Sequence, residues 1–338
     1  MPQPVLKLVR DQVVVVMGAS SGIGRATAAR FAKEGAKVVV AARGETGLRS
    51  LVEEIRADGG QACAEVADVT DPAQMRRVAQ RAVTEYGGLD TWVHAAAVLL
   101  VAPFEETTPE EFSRVIDVNL MGQVHGAMAA LPHLKRKGGA LIHISSMGAK
   151  RGVPLQTAYC ASKHGLDGFV ETLRTEVRRE NLPISVTNIM PATINTPLFD
   201  QARTKIGVKP VAPPPIYQPD VVVDAVLYAA EHPVRDLVVG GSAKALILGE
   251  KLAPRLLDAL LVRFGFEAHD TGKPKPADAP DNLFAPLDHH NTARDGFDAS
   301  AWSRSLYTTL RRQPLVNRIP LATEALAVAG FVLKPLLR

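Results

Sequence analysis

The sequence predicts an α/β fold, a doubly wound parallel sheet with helices on both faces, and three observations carry that prediction. Short apolar runs alternate with helix-patterned stretches, the first run shows no polar alternation, and a glycine-rich turn follows it directly. A strand covered on both faces reads as a continuous apolar run, and alternating strands and helices require right-handed crossovers in a parallel sheet. Ligands of such sheets lie outside the carboxyl ends of the strands.

Val13 to Met17 is the first predicted strand. The turn Gly18-Ala-Ser20-Ser21-Gly22-Ile23-Gly24 follows and opens a helix from Arg25 that Gly35 terminates. Glycines allow a tight turn and close backbone approach, while free N–H groups and the helix dipole attract a pyrophosphate. The spacing is Gly-x-x-x-Gly-x-Gly, not the commoner Gly-x-Gly-x-x-Gly. Lys37 to Arg43 is the second strand. Arg43 stands about twenty residues past the glycine loop, where a carboxylate would hold the ribose 2′-hydroxyl of NAD and an arginine accommodates the 2′-phosphate of NADP. No acidic residue precedes Gly44, so NADP(H) is expected in preference to NAD, against the alternative of a solvated loop cation.

A helix over 46 to 57 closes at Gly59-Gly60, and Ala62 to Val66 is the third strand. Asp68-Val69 follows, and Asp68 either meets an adenine amine or begins a turn. Asp71-Pro72-Ala73-Gln74 combines an N-cap, a proline at the first helical position and a glutamine at the third, a strong start for a helix reaching Tyr86. Leu89 to His94 is the fourth strand. Thr108-Pro109-Glu110-Glu111 is a second capping box and launches a long helix to about Lys137. Asn119 lies in its middle, where asparagine is unfavourable because its amide competes for backbone groups, so it is either functional or a satisfied buried amide.

Ala140 to Ser146 is the fifth strand and ends on Ser146. A helix over 157 to 180 then carries Tyr159 and Lys163, which share a face with Cβ atoms about 5 to 6 Å apart. A neighbouring ammonium favours phenolate, so Lys163 is expected to pull the Tyr159 pKa down towards the range of a general acid or base. Residues 183 to 190 form the sixth strand, 219 to 231 a helix and Asp236 to Val239 the seventh strand. A further helix over 243 to 264 should be kinked or divided by Pro254.

Composition narrows the partners. With 46% apolar and 22% charged residues the chain is an ordinary globular sequence. No Lys/Arg-rich run interleaved with aromatics marks a nucleic-acid surface, and nucleic acid is excluded as the main partner. Cys63 and Cys160 lack metal or disulfide spacing, the His289-His290 pair lacks ligand spacing, and no metal site is predicted. The first residues lack the apolar core of a signal peptide, which places the protein in the cytoplasm.

Together these motifs resemble the NAD(P)-dependent short-chain dehydrogenase/reductase family over about residues 10 to 250. The resemblance implies a seven-stranded Rossmann-like domain over 1 to 250 and an added C-terminal extension over 251 to 338. It implies that Gly18, Ser20, Ser21, Gly22, Ile23 and Gly24 form the cofactor loop, with Arg43, Asp68, Val69 and Ala95 also at the cofactor. Asn119, Ser146, Tyr159 and Lys163 match the family's catalytic tetrad, Ser146 standing thirteen residues before Tyr159. Pro191, Ile194 and Thr196 match the segment that embraces the nicotinamide. By the family's mechanism hydride passes between the nicotinamide and a carbinol or carbonyl carbon, Tyr159 transfers the proton, and Ser146 orients the oxygen. Lys163 lowers the tyrosine pKa and grips the ribose, and Asn119 anchors a relay water. The sequence departs from the family at Met17, at Val93 to Ala97 and at Ala192, where a threonine, two asparagines with a glycine, and a glycine are usual. An NADP-binding scaffold or redox sensor without catalysis is the rival reading, and retention of all four tetrad residue types weighs against it.

Leu198 to Tyr217 is apolar and stiffened by Pro213-Pro214-Pro215, suiting a hydrophobic alcohol, ketone or aldehyde substrate or mere packing on the body. Residues 266 to 300 are rich in Pro, Asp and Gly and predict irregular backbone that wraps the body or stays mobile. A short helix is expected over Ser303 to Arg312. Leu321 to Leu333 predicts a largely apolar helix with basic flanks, suited to a homo-oligomer contact or peripheral membrane contact.

Overall fold

The computed structural model describes residues 4–211, 213–276 and 278–312. Seven strands form one parallel sheet: β1 (Val13–Met17), β2 (Lys37–Ala42), β3 (Gln61–Val66), β4 (Thr91–His94), β5 (Gly139–Ile144), β6 (Ile184–Pro191) and β7 (Asp236–Val239). Their order across the sheet is β7-β6-β5-β4-β1-β2-β3. The uninterrupted apolar run of β1 has the cause inferred from it. Val14 and Val16 enter the core on one face of the sheet, Val13, Val15 and Met17 the core on the other, and all five are buried.

The order of connection reverses between β1 and β4, which pair in register with Met17 opposite His94. Loops leaving these strands diverge to opposite sides, and the crevice between them is where a ligand fits. The helices between strands are α1 (Gly22–Lys33), α2 (Glu45–Ala57), α3 (Pro72–Tyr86), α4 (Pro109–Ile116), α5 (Gly122–Lys137), α6 (Thr157–Arg179) and α7 (Pro219–Glu231). Both expected caps form. Asp71 accepts from the Ala73 and Gln74 amides, and Thr108 and Glu111 close a reciprocal capping box.

The structure departs from the expected long helix over 109 to 137. A π turn, Asp117–Met121, separates α4 from α5 and contains Asn119. An asparagine whose amide bonds elsewhere fits an inserted wide turn better than a regular helix. The expected helix over 243 to 264 is divided at Ala253 into α8 (Gly241–Leu252) and α9 (Pro254–Phe264), because Pro254 lacks an N–H and starts a helix well.

The stretch expected to be irregular contains a strand, Asp270–Pro274, paired antiparallel with Val208–Pro210. Residues 278 to 305 then run across the body. Leu283 is fully buried in the same apolar core as Met75 and Val78 of α3 and Val115 of α4, and Trp302 packs edge-on against Tyr217 with ring centroids 5.5 Å apart. The short helix expected near 303 to 312 is α10 (Leu306–Arg311), capped by Ser305 and fastened where the Thr308 hydroxyl accepts from the Gly240 amide at 2.9 Å. The apolar segment Leu321 to Leu333 lies outside the described residues. Among the described residues no helix is long and apolar enough to cross a membrane.

Candidate active site

Two glycines set the geometry of the cofactor loop. Gly18 has φ +78°, and a Cβ there would stand 2.5 Å from the Ala96 amide nitrogen, so the loops after β1 and β4 are pressed together at the crevice. A Cβ on Gly24 would stand 2.1 Å from the Gly18 carbonyl oxygen, so the first turn of α1 packs directly on the loop. Only glycine permits either approach. The amino end of α1 thus faces a cavity of about 220 Å³ at the carboxyl edge of the sheet.

That cavity gathers almost every predicted site residue. Gly18, Ser20, Ser21, Gly22, Ile23 and Gly24 line one end together with Arg43, Asp68 and Val69. Ala95, Ser146, Tyr159, Lys163, Pro191, Ile194 and Thr196 line the rest. Asn119 is the exception: it is not among the residues lining the cavity. It is fully buried, its Oδ1 accepts from the Val98 amide at 2.8 Å, and its Nδ2 donates to the Val98 carbonyl at 2.9 Å. Both ends of the amide hold the loop after β4, so Asn119 stands behind the cavity wall.

Tyr159 and Lys163 occupy successive turns of α6, with the lysine nitrogen 5.6 Å from the centre of the phenol ring. Lys163 is 1% exposed and donates to the Ile144 carbonyl at 2.9 Å. Burial pulls its ammonium down to about 8, with Asp167 opposing. Burial likewise pushes the Tyr159 phenol up to about 12, the hydrogen bond with Ser146 opposing and the Cys160 thiol reinforcing. The expectation that Lys163 holds this phenol below its ordinary value is therefore reversed. Loss of solvent dominates, while Lys163 directs its donor at a backbone carbonyl, and the neutral phenol is favoured. Ser146 is fixed beside it, its hydroxyl accepting from the Gly148 amide at 3.0 Å.

At the opposite end, Asp68 receives the Thr70 amide at 2.9 Å and hydroxyl at 2.8 Å, and pairs with Arg114 at 3.0 Å. Burial alone would raise its carboxyl, but these bonds outweigh burial and hold it below the usual carboxylate range. Arg43 is half-buried, and burial with the nearby charge of Arg114 lowers its guanidinium despite Asp68. Its hydrogen bonds run to the carbonyls of Asn282 and Phe284, not to a carboxylate.

The extension therefore supplies wall residues that sequence reasoning missed: Asn282, Pro286, Leu287 and Asn291. Their only sequence signal is a few apolar side chains in a polar run. Arg114, which secures Asp68, gave no signal. On the tyrosine side, Leu198, Phe199, Gln201 and Pro213 of the segment after β6 line the cavity with Leu99 and Val153. Leu99, Val101 and Ala202 form a small apolar cluster against which Tyr159, Leu198 and Phe199 pack. Among the described residues no group of three His, Cys, Asp or Glu side chains could share a metal ion.

Residues 12–207 match the family model described as short chain dehydrogenase. Over 332 residues the chain is 37% identical to the uncharacterized oxidoreductase YxnA of Bacillus subtilis, covering 97% of this chain and 90% of that protein. It is 32% identical to the 3-oxoacyl-[acyl-carrier-protein] reductase FabG of Thermotoga maritima, over 65% of this chain and 90% of that one. Among solved structures it resembles an alcohol dehydrogenase from the archaeon Thermococcus sibiricus complexed with 5-hydroxy-NADP, with TM-score 0.60, 25% identity and coverage of 68% of this chain and 95% of that one. It also resembles an actinorhodin polyketide ketoreductase with NADPH, with TM-score 0.60, 31% identity and coverage of 69% and 97%. With a family model spanning more than half its length and a 37% identical relative matched over 90% of that protein, the chain belongs to the short chain dehydrogenase family of oxidoreductases.

Proposed function

We propose that the chain interconverts an alcohol with a ketone or aldehyde using NADP(H), that Tyr159 is the proton donor and acceptor, and that the substrate is apolar. The observation that carries this reading is a single cavity walled at one end by the glycine loop and at the other by Ser146, Tyr159 and Lys163. The residues present fit the dinucleotide. The amino end of α1, brought to the cavity by Gly18 and Gly24, suits a pyrophosphate. Arg43, half-buried and hydrogen-bonded only to backbone carbonyls, suits a 2′-phosphate, since a desolvated cation favours an anionic partner. Asp68 and Val69 would stand at the adenine, and Ala95, Pro191, Ile194 and Thr196 at the nicotinamide end. The neighbours solved with 5-hydroxy-NADP and NADPH support this choice over NAD.

When bound, the reduced nicotinamide supplies the hydride, and its oxidised form accepts one in the reverse direction. The chain's own groups manage the oxygen. In reduction, Ser146 donates to the carbonyl oxygen and Tyr159 delivers the proton as hydride reaches carbon, leaving a phenolate that takes up a proton from solvent. A phenol held near 12 is protonated at neutral pH, the form reduction needs. Lys163, still cationic below pH 8, stabilises the phenolate as it forms. Asn119 acts as a positioning residue by holding Val98 and, through it, the loop facing Tyr159. The apolar cluster of Leu99, Leu198 and Phe199 beside the phenol favours an apolar substrate body.

Turnover of NADPH against a panel of apolar ketones and aldehydes, with NADH as control, tests the reading. Positioned acid catalysis is worth about 10² to 10⁴ in rate. Tyr159→Phe should lose at least that factor while NADPH binding stays within a few-fold of the parent. Undiminished turnover in this variant would remove the assignment.

A further inference from the structure

The extension crosses the dinucleotide end of the cavity between Asp281 and Thr292, and four observations show that it is fastened there. The Leu283 side chain is fully buried, and its carbonyl accepts from Arg114 at 3.0 Å, the same arginine that secures Asp68. Asp281 pairs with Arg203 at 2.8 Å, and the Asn282 amide donates to the Gln201 carbonyl at 2.9 Å, joining the segment to the chain after β6. The carbonyls of Asn282 and Phe284 take hydrogen bonds from Arg43. The Thr292 carbonyl accepts from the Gly22 amide at 2.8 Å, closing the segment onto the glycine loop.

Two roles fit a segment in this position, a plug that occupies the phosphate sites or a roof that encloses them. The chemistry favours the roof. A plug imitating phosphate would present carboxylates to Arg43, but this segment gives it the neutral carbonyls of Asn282 and Phe284, and Asp281 pairs with Arg203. Arg43 thus takes no hydrogen-bonding carboxylate from the segment. Space also remains under it, since Asn282, Pro286, Leu287 and Asn291 face the same cavity as the glycine loop.

We propose that residues 281 to 292 form a roof over the adenosine and 2′-phosphate end of the dinucleotide site, so that NADP(H) is enclosed and both enters and leaves when this segment lifts. The proposal rests on NADP(H) binding in the cavity as argued above. Leu283 is the pin: it inserts into the core, and its carbonyl is held by Arg114. Removing the pin lifts the roof more often, which speeds both passages across it.

The test is stopped-flow fluorescence of NADPH binding to the full chain, parent against Leu283→Ala, with Leu283→Val as the milder variant should the first fail to fold. Association and release should both accelerate, by about tenfold or more for alanine and less for valine. Faster association with unchanged release, giving tighter binding, would show a plug and overturn the proposal. Unchanged rates in both directions would overturn it as well. A parent chain that binds neither NADPH nor NADH would fail earlier, at the function proposed above.

Discussion

Replacing Lys163 by methionine should make the protein more stable at neutral pH while abolishing its turnover. The folded lysine is 1% exposed and loses its proton at about 8, against 10.5 for an unhindered lysine. At 1.36 kcal/mol for each tenfold change, holding the proton at pH 7 costs about 3 kcal/mol. The sign follows from the order of the two values. The folded pKa lies below the unfolded one, so the unfolded chain binds the proton more tightly, and the cost is fully present below pH 8. It is relieved as pH rises from 8 towards 10.5. Against this gain, methionine leaves the Ile144 carbonyl without its 2.9 Å donor, a loss of about 1 to 2 kcal/mol. The variant should therefore be more stable by roughly 1 to 2 kcal/mol at pH 7, and by pH 9.5 the relief of about 2 kcal/mol in the parent should erase or invert the difference. Denaturant unfolding of both proteins at the two pH values reads this directly. A methionine variant that is less stable at pH 7, by a margin that does not change at pH 9.5, would show that the buried ammonium carries no such cost.

Two further substitutions probe the ends of the site. Arg43→Ala should weaken NADPH binding by about tenfold or more and leave NADH within a few-fold, because a charged hydrogen bond to one phosphate is worth about 1.5 to 3 kcal/mol; equal losses for both cofactors in a fluorescence titration would deny Arg43 its role. Asn119→Ala orphans the buried amide and carbonyl of Val98 and should cost about 2 to 4 kcal/mol in denaturant unfolding, whereas a cost near zero would mean that the loop finds other partners.

What the sequence discloses depends on whether a residue acts through its side chain at a regular spacing. The strand Val13–Met17 was legible because burial on both faces demands apolar side chains at every position. Tyr159 and Lys163 were legible as neighbours because four residues along a helix return to one face. Asn119 was legible as an anomaly, but its direction was not. A π turn adds a residue to the local repeat, and everything after it is rotated relative to the regular pattern, so the side chain meets Val98 and not the cavity. The direction of the Tyr159 pKa is hidden from the sequence for a related reason. Spacing shows that an ammonium is near, whereas the larger effect, loss of solvent, depends on packing by elements remote in the chain.

The roof is the extreme case, and its chemistry explains why. Asn282, Phe284 and Thr292 meet Arg43 and Gly22 through backbone carbonyls, a group that every residue carries. No composition or period can mark such a contact, and a run of Pro, Asp and Gly reads as irregular whether it wraps a site or not. The contact becomes inferable only from its partners. Arg43 is a half-buried guanidinium hydrogen-bonded to no carboxylate, and the Gly22 amide stands at the start of a helix, so each calls for an acceptor, which carbonyls of the extension supply in this structure. The relative from Bacillus subtilis matches 97% of this chain, extension included. The match thus takes in the stretch from Asp281 to Thr292, so the stopped-flow measurement can be repeated on that relative with the residue aligned to Leu283 truncated, and unchanged NADPH rates there would confine the roof to this chain.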